Sequence, residues 1–171
     1  MAITLVTTAG AADANAFVSL ADANIYHKGR VHNPEWVNAS GGDKSAAIVM
    51  ATRSLCYHYN YVGTRTNETG ALCWPRTGVL DKSAYDVNPN TIPQFMEDAT
   101  AEFAFLLLGK DSTVTENISG GLQELVADDV SLKWNDSKTK YFPDIPKSVR
   151  KMVSYYVPAV ATAGVVHLIR A

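Results

Sequence analysis

Apolar residues in this chain gather at helical intervals in two long stretches and at alternate positions in one short one. Ala47, Ile48, Ala51, Leu55, Cys56 and Tyr59 recur at three- and four-residue steps, which collects them on one face of a helix ending near Tyr59. Asp43, after the loop signal Ser40-Gly41-Gly42, is the expected N-cap, and Cys56 reads as a small buried hydrophobe. A third helix is expected to open at Pro93, where the missing N–H costs nothing, and to end at Gly109. Its stripe is Ile92, Phe95, Met96, Ala99, Phe103, Leu106 and Leu107, with Glu97, Asp98 and Glu102 facing elsewhere.

Shorter signals complete the pattern. Ser19 with Asp22 three residues on forms a capping box, so a first helix should run to about Lys28, before Gly29 and Asn33-Pro34 interrupt the chain. Residues 60–91, rich in Gly, Asn, Pro and Thr, read as an ordered loop with a short strand around Leu72 to Trp74. From Ile118 to Trp134 the spacing drops to two, as in Val130, Leu132 and Trp134, which predicts a β-hairpin. A last helix opens at Pro146, and Pro158 should kink or stop it. The expected fold is therefore mainly α: a small bundle of about four helices in one domain over residues 1–171, with a β-hairpin inserted between the third and last helices.

Composition narrows the class. With 47% hydrophobic and 19% charged residues, the chain has the material for a packed core. No run approaches the ~20 apolar residues that span a bilayer, and the first residues lack the basic start of a secretion signal. Cys56 and Cys73 form no C-x-x-C pair and no disulfide framework, which suits a reducing compartment. Residues 159–169 contain no Asp, Glu, Lys or Arg. That tail either packs on its own subunit or docks on a partner, since an apolar segment of this size marks interaction sites when exposed.

The net charge of −2 conceals a segregation. Residues 92–129 set Glu97, Asp98, Glu102, Asp111, Glu116, Glu124, Asp128 and Asp129 against Lys110 alone, giving −7. Residues 130–171 set Lys133, Lys138, Lys140, Lys147, Arg150, Lys151 and Arg170 against Asp136 and Asp144, giving +5. Either the pieces neutralise each other within one fold, or they lie on opposite flanks so that identical copies attract head to tail.

Catalytic signatures are lacking. His27 and His32 do not form H-E-x-x-H, and they and His58 read as surface or half-buried residues. The Asp98 and Glu102 pair reads as an exposed helix face, and the glycine pairs match no phosphate-binding loop. No enzyme activity, cofactor or metal site is expected. Lys147 to Lys151, followed by Tyr155 and Tyr156, offers cations and aromatic rings suited to single-stranded nucleic acid, although a solvated helix face explains it too.

Five blocks carry a family resemblance: D-A-N-A-F-V-S-L-A-D-A-N-I-Y-H (13–27), A-T-R (51–53), Y-V-G-T-R (61–65), L-C-W-P-R-T-G-V (72–79) and I-P-Q-F-M-E-D-A-T-A-E-F-A (92–104). In this order they resemble the head–tail adaptor (head-completion, connector) family of tailed bacteriophages, some of whose members carry a DnaT-like single-stranded-DNA-binding label. The resemblance covers about residues 11–108.

It implies a mostly helical, non-catalytic virion protein, assembled in the host cytoplasm as a ring of twelve in the particle neck beneath the portal. Such a ring extends the channel for double-stranded DNA and receives the tail or a stopper protein. The C-terminal end would then meet the portal through Val157, Pro158, Val160, Val165, Val166, Leu168 and Ile169. Glu97, Asp98, Glu102, Asp128 and Asp129 become candidates for the channel lining or ring interface, with Lys147, Arg150 and Lys151 as basic interface candidates. Trp74, Pro75, Arg76 and Gly78 read as a structural motif in which Trp supplies buried area, Pro fixes the backbone and Arg pairs with a carboxylate.

Overall fold

One helix organises the rest. In the computed structural model, which describes residues 3–109, the strand backbones at 124–127 and 130–133, and residues 145–158, α4 (Gln94–Gly109) is buried without interruption from Ala99 to Phe105. It packs against α1 (Leu20–Lys28), α2 (Pro34–Asn38), α3 (Gly41–His58) and α5 (Lys147–Val153). The protein is mainly helical, with two small antiparallel pairs: β1 (Thr64–Arg65) with β2 (Arg76–Thr77), and the hairpin of β3 (Glu124–Ala127) with β4 (Val130–Lys133).

Local chemistry explains most boundaries. The Ser19 hydroxyl accepts the Asp22 N–H at 3.1 Å and starts α1 as expected. The same box recurs two helices later: Ser40 accepts the Asp43 N–H at 3.1 Å, so α3 begins at Gly41 and Asp43 sits inside the first turn. The two glycines are thus helical, and the expected cap at Asp43 moves back three residues. Pro93 lies just outside α4, its carbonyl accepting the Met96 N–H at 2.9 Å. The Asn33-Pro34 interruption contains a helix of its own, α2, with Pro34 in its first turn and Trp36 buried.

The 61–79 segment is fastened to α3 rather than lying loose over it. Cys56 and Cys73 are joined as a disulfide with Cα atoms 5.4 Å apart, so Cys56 is a crosslink and not the free buried thiol expected. Residues 72–74 serve as anchors, with Trp74 fully buried, and strand pairing begins only after Pro75; the expected strand is displaced to Arg76–Thr77. The Trp74–Pro75 peptide bond is cis. Gly63, at φ +72°, is confined because a Cβ there would lie 2.6 Å from Val79 Cγ2 and collide with the Thr77 carbonyl.

The C-terminal described segment closes the core. Pro146 caps α5, its carbonyl accepting the Arg150 N–H at 2.9 Å, while Val149 and Val153 point inward. A 3₁₀ turn, Ser154–Tyr156, follows and stacks Tyr156 on Phe95 at 3.8 Å between centroids. Helical geometry ends at Tyr156, and Val157 is extended at φ −109° and ψ 127°, the conformation a following proline favours, so the helix stops ahead of Pro158 as expected. The hairpin register is Glu124↔Lys133 through Ala127↔Val130, in the expected place.

A polar knot joins α1, α2 and α4. His27, expected at or near the surface, is 1% exposed; its Nε2–H donates to the Ala101 carbonyl at 3.0 Å, and its ring lies 4.2 Å from that of Trp36. Nδ1 has no hydrogen-bond partner. Burial holds the imidazole below its ordinary value near 6.5, against the raising influence of the Ala101 carbonyl and Glu102. The folded state thus refuses a proton that the unfolded chain accepts, so this contribution to stability is intact above pH 6.5 and declines as pH falls below it, by up to ~1.4 kcal/mol per pH unit. Urea unfolding at pH 7.5 and 5.5 should show a loss of stability in the wild type and a smaller loss in His27→Phe; equal losses contradict the assignment.

Candidate interaction surfaces

The W-P-R-x-G motif is held by the core and by backbone carbonyls. Trp74 and Pro75 are buried, and Trp74 meets Tyr61 and Phe95 edge to face at 5.6 and 5.4 Å. Among the described residues, Arg76 pairs with no carboxylate. Its guanidinium donates to the carbonyls of Val62 (2.7 Å), Tyr61 (3.0 Å), Cys73 (3.2 Å) and Gly63, gathering both sides of the β1–β2 base with a planar fork. Burial, then the nearby Arg65 charge, lower its affinity for its proton. Gly78 takes φ +72° with open space where a Cβ would stand, so backbone conformation alone favours glycine there.

The acidic candidates divide. Glu102 leaves the surface altogether: only 8% exposed, it forms an ion pair with Arg30, whose guanidinium also covers the Phe105 ring at 4.1 Å. Within the subunit its carboxylate is engaged by Arg30, unlike those of Glu97 and Asp98. Glu97 and Asp98 remain half-buried beside Asp22 of α1, in a shallow hollow of about 260 Å³ walled by Val18, Tyr26 and Ala101. Burial and then the charges of Asp22 and Asp98 raise the Glu97 pKa, the mark of carboxylates crowded without a cation. At the rim stands Ile25, 63% exposed. Asp128 and Asp129 lie outside the described residues.

The basic candidates stay together. Lys147, Arg150 and Lys151 are exposed on α5 and, with Ile145, Pro146 and Ser154, border a hollow of about 480 Å³. Arg150 also donates to the Ile145 carbonyl at 3.4 Å. The two adjacent tyrosines have different fates: Tyr156 is consumed by the core, whereas Tyr155 is 51% exposed and donates its hydroxyl to the Asp81 carbonyl at 3.2 Å. That bond brings the 3₁₀ turn after α5 to a turn at 80–86 whose Leu80 and Tyr85 are also exposed, a juxtaposition across 74 residues of sequence that no local pattern announces. Val157 is half-buried against the core of its own subunit and Pro158 is exposed; Val160, Val165, Val166, Leu168 and Ile169 lie outside the described residues.

Among the described residues, Arg30 with Glu102 is the sole ion pair between side chains, no cluster of three His, Cys, Asp or Glu is placed to hold a metal, and no helix is long and apolar enough to cross a membrane. The fold and its surfaces define a small helical protein that presents a carboxylate-rich face and a cation-rich face. Over residues 1–171 the chain matches the family described as "Putative DnaT-like ssDNA binding protein", and it belongs to that family. No curated protein and no solved structure matches it.

Replacing Arg76 by Ala strands several part-buried carbonyls and should lower stability by about 2 kcal/mol, with Arg76→Lys restoring less than half because an ammonium cannot span them. Urea unfolding of the three proteins checks this; a lysine variant equal to wild type contradicts it.

Proposed function

We propose that this chain is a structural virion protein, a head–tail adaptor whose copies, twelve in number, form a ring under the portal. The ring extends the DNA channel and offers the attachment surface for the tail or a stopper protein. One observation carries the reading: among the described residues, the carboxylates of Asp22, Glu97 and Asp98 have no cation partner, and they do not meet the cations of α5. A subunit that carries carboxylates on one face and ammonium groups on another is suited to heterologous contacts, which close into rings where the rotation permits. The five blocks between residues 13 and 104 support the same reading. Double-stranded DNA would pass such a ring without sequence-specific contacts, since a strongly basic lining grips phosphates.

The uncharged tail is the proposed portal contact. Because Val157 belongs to the core of its own subunit, the informative truncation follows Pro158. Removing residues 159–171 should abolish co-purification with the portal and leave the unfolding transition in place; undiminished binding contradicts the assignment.

A second reading has its own support. The family description names single-stranded DNA, and Tyr155 with Lys147 and Lys151 offers one exposed ring beside two cations. Binding of this kind would weaken steeply with salt, about 0.7 log units per log unit of salt for each phosphate engaged. The adaptor reading predicts little or no mobility shift of a labelled oligonucleotide at 150 mM salt. A tight, salt-sensitive shift lost in Tyr155→Ala would favour the nucleic-acid reading.

A further inference from the structure

We infer that the Ile25 face of α1 and α4 docks into the hollow beside α5 of a second copy of this chain; the inference rests on the ring reading and names its contact. The two surfaces differ in sign and complement each other in form. On the first, Ile25 projects from α1 with 63% of its surface exposed, between the carboxylates of Asp22 on its own helix and of Glu97 and Asp98 on α4. On the second, the half-buried Pro146 walls an opening of about 480 Å³ over the buried Ile145, and Lys147 and Lys151 stand exposed at its edge. An apolar knob flanked by carboxylates fits a hollow edged by two ammonium groups.

Alternatives for these faces are weaker on physical grounds. Two acidic faces repel each other, as do two basic ones, so neither patch supports a two-fold contact with itself. The pairing that brings opposite charges together is acidic face to basic face, which is head to tail and leaves one copy's basic face and the other's acidic face free for the next copies. Within one subunit, α1 and α5 each pack on α4, and none of these carboxylates pairs with an α5 cation among the described residues. The apolar centre would exclude water from the surrounding ion pairs and reduce their screening.

Charge-swap complementation on portal rings tests this. One variant carries Glu97→Lys and Asp98→Lys, the other Lys147→Glu and Lys151→Glu, each checked for a native circular-dichroism spectrum and unfolding transition. The readout is the number of copies bound per portal by native mass spectrometry as concentration rises. Wild type should fill the ring; each variant alone should need about tenfold more protein or more, and an equimolar mixture should recover most of the wild-type filling. Ile25→Lys, which drives a cation against the basic hollow, should weaken filling as well. Variants that fill the portal as wild type does, or a mixture no better than its members, overturn this contact while leaving the ring reading intact. A wild-type chain that leaves the portal bare overturns the ring reading and this contact with it.

Discussion

The structure depends on covering α4. A helix buried continuously from Ala99 to Phe105 has no solvent side over that span, so every neighbouring element is drawn in to shield it. Two of its polar residues must then be satisfied internally. Thr100 returns its hydroxyl to the Met96 carbonyl at 2.7 Å, and Glu102 takes Arg30 from the end of α1. The second solution has wider consequences, because Arg30 also lies over Phe105 while His27, one turn earlier, donates to Ala101. The corner between α1 and α2 is thereby fixed on α4 by one ion pair, one buried hydrogen bond and a stack of rings. At the opposite end of α4, Phe95 receives Tyr156 and Trp74, which ties α5 and the 61–79 segment to the same helix.

This arrangement determines what is left outside. The carboxylate of Glu102 is used in the knot, but Glu97 and Asp98, on earlier turns of the same helix, emerge beside Asp22 at the edge of the α1 contact. On α5 the inward residues are Val149 and Val153, which leaves Lys147, Arg150 and Lys151 outward by helical periodicity. The core packing thus separates the charges that the sequence already holds in separate blocks. Such separation costs little in solution, where exposed ion pairs contribute about 0–1 kcal/mol, and gains its effect when a second surface excludes water.

Patterns confined to a few turns were legible in the amino-acid order: the Ser19 box, the stripe of α4, the proline opening of α5 and the alternation of the hairpin. Features that depend on distant partners were not. Glu102 carries the polarity of an outward residue, and its burial follows only from Arg30, 72 positions away in the chain. Cys56 and Cys73 have a spacing without a motif, and they join only because the 61–79 segment folds back on α3. The chemistry of Arg76 suits a carboxylate, yet four backbone carbonyls occupy its fork. Tyr155 and Tyr156 are adjacent in sequence, and a single step round the 3₁₀ turn sends one outward and the other into the core. Ile25 has no periodic signature, because it is one apolar residue on a polar helix face.

The account holds that the protein acts by the surfaces it presents, to copies of itself and to a neighbouring collar. Imaging of the intact particle neck tests this most directly. The account predicts a closed ring of this chain around the channel, with each copy touching two others and one side of the ring seated on the portal. A reconstruction of the neck in which no density fits the α1–α5 arrangement, together with absence of the chain from purified particles, would contradict it.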